Sequence, residues 1–556
     1  MKRATASDLD PVFDLVIIGG GINGAACAWE ATLRGLSTLL VERGDFGAAT
    51  SANSARIAHS GVRYLQHADF ARLRESVRER CTLSRIAPHL VISQPFLMPI
   101  HGHGLKGRET MTLYMKLYDA LSPERRRFSD PHRVIPDSRV LPATAASELW
   151  RELDRSGLSG LAMWYEGQLH DSERLLLSFL RSASDQGLKL ANYMEATELI
   201  RTGQAAGGVR LRDHLLERDL EVRSRFVLNA TGPWLAESLA RWSPGARVDG
   251  VHASKAMALV VRPLSDTHAL SFSIPPMYED RKAVVNTGAS MQFAVPWRGF
   301  TLLGCLHQSC DDDPARVGIS EEEIERYLDL INQGYPPAKL RRSDIEHILW
   351  GIIPAEDHGS AAPLKHYRIL DHERRDGIPR FASLLGVKLT TARDVAQQTI
   401  AFVARRLGVR LAPTSSATVP LWGGDIESLD ALRQRALRDT PEPVSREVTE
   451  RLVRTYGSRC SEILSYASRT PGGLDRIADT DVLAGEIPYA IHEEMAYRLC
   501  DVVLRRTSLG SPRRPSLPAI EACATLMARE LAWDDAQRKA QIQTLLDRYT
   551  HLPIRT

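Results

Sequence analysis

Three glycines and one glutamate carry the first chemical signal in the chain. Gly19, Gly21 and Gly24 have the spacing GxGxxG, Ile22 and Asn23 fill the interval, and Glu42 follows the last glycine by 18 residues, beside Arg43. Each part suits a dinucleotide. Glycines let backbone amides approach a pyrophosphate at a helix start, and a carboxylate about 20 residues on accepts the ribose hydroxyls. A second turn of small residues, Asn229-Ala230-Thr231-Gly232-Pro233-Trp234, ends an apolar run and lets the chain pass close to a ligand.

A βαβ unit must position the first set. The apolar run 13–18 predicts a strand, the Ala-rich stretch to 34 a helix, and 37–41 a second strand that ends in Glu42. Farther on, 172–187 reads as a helix, while the surroundings of 190, then 209–211 and 225–228, read as strands. Short β-like runs at 257–261, 292–296 and 300–303 suggest an antiparallel sheet for a substrate domain. A buried strand is expected at 381–385, followed by the turn Gly386-Val387-Lys388-Leu389-Thr390-Thr391 and a helix over 392–407. From 413 onward helical patterning dominates, with Ile491, Met495 and Leu499 spaced for one helix face and Gly457 and Gly510 as stops.

Composition narrows the function classes. A chain of 556 residues suggests about three to four structural units. The 43% hydrophobic and 25% charged residues rule out a disordered or collagenous chain. With 71 Lys+Arg against 68 Asp+Glu the net charge is +3, so no global field favours nucleic acid. No run of about 18 uncharged apolar residues is present, and Asp8, Asp10 and Asp14 interrupt any signal peptide opened by Lys2 and Arg3. Seven cysteines without a CxxC fit reduced thiols, with no metal site, and a cytoplasmic setting.

Seven segments together resemble the FAD-dependent glycerol-3-phosphate dehydrogenases of the glycine-oxidase-like flavoproteins. They are DLVIIGGGINGAACAWEATLRGLSTLLVER at 14–43, TSANSARIAHSGVRYLQH at 50–67, LHDSERL at 169–175, NATGPW at 229–234, GVKLTTAR at 386–393, RTYGS at 454–458 and EEMAYRLCDVVLRRTSLG at 493–510. The fold implied is α/β: a Rossmann-type FAD-binding domain over 1–410, an interleaved antiparallel-sheet substrate domain mainly at 90–150 and 250–350, and a C-terminal helical domain over 411–556. The resemblance places FAD with its ribose at Glu42 and its pyrophosphate at Gly19 to Gly24. It sets Thr50, Ser51 and Ser54 under the flavin, with Thr231, Gly232, Lys388, Leu389 and Thr390 approaching from elsewhere. A flavin that accepts hydride gains negative charge at its pyrimidine edge, and a helix-start turn carrying Lys388 answers that charge. Only ten lysines stand against 61 arginines, which singles Lys388 out.

The same resemblance makes Arg63 and Tyr64 a substrate-side pair. Arg63, Lys388 and Arg393 then form a grip for a small anionic substrate. His59, four residues before Arg63, is the candidate acceptor of the hydroxyl proton. The implied partners are that substrate and an electron acceptor such as a quinone or oxygen. A homodimer is a further expectation, as is peripheral contact with the inner face of the cell membrane through an apolar patch at 96–100 and the Arg-rich 122–128.

Several positions depart from the family pattern. HGG reads His59-Ser60-Gly61, and the Lys before that His is Arg56; GTTD reads Gly304-Cys305-Leu306-His307; the Arg of GVRP is Ile353; the His of KGSH is Ala258. Ile offers no donor where Arg offers two. Glycerol 3-phosphate is therefore expected to be a poor substrate unless Arg56, His307 or Lys365 takes over its phosphate. Three functions stay open: glycerol 3-phosphate oxidation to dihydroxyacetone phosphate, FAD-dependent oxidation of another hydroxy-phosphate, hydroxy-phosphonate, hydroxy acid or amine, and a non-catalytic flavin-binding subunit.

Overall fold

The computed structural model describes residues 1–550 apart from 10, 105–106, 129, 244–246, 248–249, 279–288 and 311–312. The side chains of Arg63, Gln66, His132 and Ser147 also lie outside the described residues. A six-stranded sheet forms the base. Its order is Arg368–Asp371, Phe381–Leu385, Val227–Asn229, Leu15–Ile18, Thr38–Val41 and Lys189–Ala191, parallel except for the first strand. Leu15–Ile18 is buried at every position, as a strand covered on both faces requires. Helices Ile22–Leu33, Ser172–Asp185 and Ala392–Leu407 pack on one face over a shared apolar core. Strands Met194–Thr202, Ala205–Asp213 and Arg218–Arg223 form a separate antiparallel sheet whose inward residues pack with the other face.

The chain leaves Leu15–Ile18 toward Thr38–Val41 on one side and has Val227–Asn229 on the other, so the strand order reverses beside the glycine turn. Ligands bind at such a switch point, outside the carboxyl ends of the strands. The loops there touch: a Cβ on Gly19, whose φ is +111°, would lie 2.5 Å from the Ala230 carbonyl oxygen.

The second large sheet is mixed rather than purely antiparallel. It runs Ile345–Ala355, His252–Val261, Phe300–Ser309, Ser290–Trp297, Ala269–Ile274, Val91–His101, Leu158–Leu169 and Ile57–Ala58, and Ala269–Ile274 lies parallel to Val91–His101. The strand Leu158–Leu169 extends this sheet beyond the expected 90–150 and 250–350. Phe96, Leu97 and Ile100 are buried in it, at 0%, 0% and 4% exposure, so the expected apolar surface patch at 96–100 is core. From Leu429 to Asp547 the described elements are helices. The face predicted through Ile491, Met495 and Leu499 is not one helix, because Met495 takes a left-handed φ of +59° that ends Glu486–Glu494 and turns the chain. Among the described residues no helix is long and apolar enough to cross a membrane.

Candidate active site

The glycine turn is held by side chains that follow it in the sequence. Glu42, half-buried, accepts the Gly20 N–H on Oε2 at 2.8 Å and the Gly44 N–H on Oε1 at 2.8 Å. The Ile22 N–H donates to Ser51 Oγ at 3.0 Å. The three fingerprint glycines differ in role. Gly19 and Gly24 are fixed by packing, since a Cβ on Gly24 would sit 1.9 Å from the Gly19 oxygen, whereas a Cβ on Gly21 would meet only Ser51 Oγ, at 3.3 Å. Gly21 keeps space open in a cavity rather than space against the protein.

That cavity measures ≈ 990 Å³. Gly19, Gly21, Ile22, Asn23, Glu42, Arg43, Thr50, Ser51, Ser54, Thr231, Gly232, Lys388 and Leu389 all line it, as do His307 and Ile353. Arg43 stacks over the Trp234 ring at 4.3 Å, and Asn229 Oδ1 accepts from the Thr231 N–H and hydroxyl at 3.1 and 2.7 Å, shaping the rim. Asn23 Oδ1 is buried without a hydrogen-bond partner, and a Cβ on Gly386 would strike the Asn23 side chain at 2.1 Å. An open groove beside a helix start, with an orphaned polar atom and a ribose-competent carboxylate, fits a dinucleotide cofactor. No cluster of described residues could hold a metal ion.

The reaction end is assembled from three distant segments. The His59 N–H donates to Thr390 Oγ1 at 3.1 Å across 331 residues. Lys388 Nζ stands 4.5 Å from the Tyr64 ring centroid, and Arg72 covers the ring at 4.1 Å. Burial lowers the Lys388 ammonium below the usual lysine range. Gly61 has φ +78°, and any Cβ there would strike the Tyr64 ring at 2.4 Å, so this glycine is required. Ser60, by contrast, is a structural departure. Its Oγ donates to Glu166 Oε1 at 2.8 Å, its N–H donates to Glu166 Oε2, and Trp164 Nε1 adds a third donor at 3.1 Å. Burial pushes the Glu166 carboxyl above the ordinary range. Sequence reasoning missed Glu166; a lone acid inside the apolar strand WYEGQL was the available signal.

Two expected residues are corrected, and one departure from the family pattern is placed away from the cavity. Arg393 does not grip substrate: buried, it forks onto Glu79 at 2.8 and 2.7 Å, and its Nη1 donates to Gln397 at 2.9 Å and Ser416 at 3.0 Å. Arg56 cannot replace a phosphate anchor, because its two terminal nitrogens bind Glu173 at 2.6 and 2.5 Å while its guanidinium stacks on Trp297. Ala258 is 2% exposed and packs against Gly304 between strands rather than lining the cavity. Ile353, half-buried, and His307 do face the cavity. The Arg63 side chain lies outside the described residues.

The fold and the groove together define a flavoprotein oxidoreductase. Residues 14–375 match the family described as FAD dependent oxidoreductase, and 414–538 match the C-terminal domain of alpha-glycerophosphate oxidase. The chain is 30% identical over 545 residues to glycerol-3-phosphate dehydrogenase of Synechocystis sp., covering 96% of this chain and 95% of that protein. It is 30% identical to the Pseudomonas aeruginosa glycerol-3-phosphate dehydrogenase, covering 92% and 94%. In fold it is similar to the glycerol-3-phosphate dehydrogenase from Bacillus halodurans complexed with FAD, with a TM-score of 0.76, 24% identity and coverage of 98% and 96%. The chain belongs to the FAD-dependent glycerol-3-phosphate dehydrogenase family, and its cofactor is FAD.

Proposed function

We propose that the enzyme oxidises the secondary hydroxyl of a small anionic substrate of the glycerol 3-phosphate type to a ketone, and passes the electrons to a quinone or oxygen. The observation that carries this reading is the meeting of His59 with Thr390 and of Tyr64 with Lys388, the last of which lines the same cavity as the glycine turn. FAD, when bound, supplies the acceptor for the hydride that leaves the carbinol carbon. A ring nitrogen of His59 takes the proton from the hydroxyl oxygen, and the Thr390 tie keeps that segment in place. Lys388, on the cavity wall, would answer the negative charge that develops on the flavin and, with Tyr64 and Arg63, orient the anion. Glu42 would take the ribose, Gly21, Ile22 and Asn23 the pyrophosphate, and Thr50, Ser51, Ser54, Thr231, Gly232, Leu389 and Thr390 would flank the flavin.

A second reading, a related hydroxy-phosphate, hydroxy-phosphonate, hydroxy acid or amine, is favoured by Ile353, which puts a donor-free side chain on the cavity wall. One experiment tests both: anaerobic bleaching of the yellow protein with glycerol 3-phosphate and a panel of hydroxy anions and amines. Rapid bleaching by glycerol 3-phosphate supports the first reading, and faster bleaching by another compound the second. No bleaching by any member sinks both. Peripheral membrane contact finds support on the helix Arg108–Ala120, where Leu113 and Leu117, one turn apart on the same face, are exposed beside Lys116.

A further inference from the structure

The turn that carries Glu42 is gripped from outside its own sheet. Asp45, three residues beyond Glu42, is 2% exposed. Arg505 Nε donates to its Oδ2 at 2.6 Å, and Arg506 spans both oxygens, Nη1 to Oδ2 at 2.8 Å and Nη2 to Oδ1 at 2.6 Å. These arginines lie 460 and 461 residues further along, in the C-terminal helical region. Two other routes converge on the same turn. Asn192 Nδ2 donates to Asp45 Oδ1 at 3.3 Å and to the Met495 carbonyl at 2.8 Å. The Tyr193 N–H donates to the Gly44 carbonyl at 2.9 Å, while its hydroxyl donates to Asp501, which Arg505 Nη2 also binds at 2.8 Å.

A buried carboxylate between two guanidiniums is tolerated only when its hydrogen bonds are complete, and truncating one partner strands the other charge. This one is complete and sits at the cofactor groove: Asp501 and Arg505 line the same cavity as Gly21 and Glu42. We propose that Arg505 and Arg506 are positioning residues for the cofactor. Through Asp45 they set the turn 42–45 that presents Glu42 to the adenosine ribose, so FAD binding and docking of the C-terminal helical region are linked. The proposal rests on the placement of the ribose at Glu42. Linkage is reciprocal: whatever the docked region adds to FAD affinity, FAD adds to docking.

The test compares apoprotein and FAD-loaded enzyme by amide hydrogen exchange. FAD is expected to raise protection at 495–507 by about tenfold, within the usual range of coupling between sites, together with protection at 15–45. Protection gained at 15–45 with none at 495–507 overturns the proposal. Arg505→Lys and Arg506→Lys keep the charge and lose the fork. Each is expected to weaken FAD binding by about tenfold at a temperature where its apoprotein remains folded, as read by circular dichroism. Unchanged affinity in both folded variants overturns the positioning role. If the variants do not fold, the exchange comparison on the unaltered chain decides alone. Glu42→Gln tests the ribose placement separately: unchanged FAD affinity there sinks the placement, whatever the arginine variants do.

Discussion

The two ends of the cavity are built on different terms. At the dinucleotide end, backbone amides, glycines and saturated ion pairs fix the turn: Glu42 takes two N–H donors and Gly24 leaves no room for a methyl against Gly19. At the reaction end, chemistry rests on single side chains, among them Lys388 over Tyr64, and on a sheet wall bearing Ile353 and His307. Backbone geometry tolerates almost no change, whereas wall side chains can be exchanged without disturbing the fold. The contrast teaches where a family can alter its substrate while keeping its cofactor.

The largest expected effect lies at the packed end. Gly24→Val, with its Cβ 1.9 Å from a backbone oxygen, should cost ~4 kcal/mol or more and abolish folding or FAD retention, read by thermal melting and flavin absorbance. Near-native melting would break the comparison. Lys388→Met should lower kcat/KM by about 10²-fold while FAD content stays normal; a variant that loses flavin yet turns over normally would move Lys388 to the other end. Its pH dependence has a definite sign. Burial holds the ammonium below the ordinary lysine range, so a grip that needs the proton fails as pH rises through that lowered value. The alkaline limb of kcat/KM should then vanish in the methionine variant. Stability moves oppositely, rising with pH across the same window because the unfolded chain keeps a proton the folded one has lost.

Gly21→Ala sharpens the contrast within the fingerprint itself. Its Cβ meets only Ser51 Oγ, so apoprotein melting should stay near wild type while FAD affinity drops about tenfold. Equal losses in both would show that Gly21 serves packing. The smallest effect is a gain: Ile353→Arg should raise kcat/KM for glycerol 3-phosphate by about tenfold through one charge-assisted hydrogen bond. No gain, with wild-type turnover already above about 10⁴ M⁻¹s⁻¹, would mean another cation serves the phosphate.

What the sequence made legible follows the same division. The glycine turn and the strand Phe381–Leu385 with its following helix Ala392–Leu407 are local backbone patterns, and they stand where periodicity put them. The role of Arg393 was not legible, because its partner Glu79 lies 314 residues away and no spacing rule reports such a pair. The turn at Met495 escaped for a related reason: a left-handed residue without glycine leaves helical spacing intact on both sides. The role of Ser60 was not legible for the same reason as that of Arg393, because its partner Glu166 lies 106 residues away.

One contact bears on how such an enzyme changes over evolutionary time. Thr50 Oγ1 donates to the Ile352 carbonyl at 2.8 Å, and a Cβ on the neighbouring Gly351 would press on Thr50 at 3.0 Å. The segment on the cofactor side and the sheet on the substrate side therefore abut tightly at this point of the cavity wall. At this seam extra substrate bulk is accommodated by shrinking a wall residue rather than by parting the two segments.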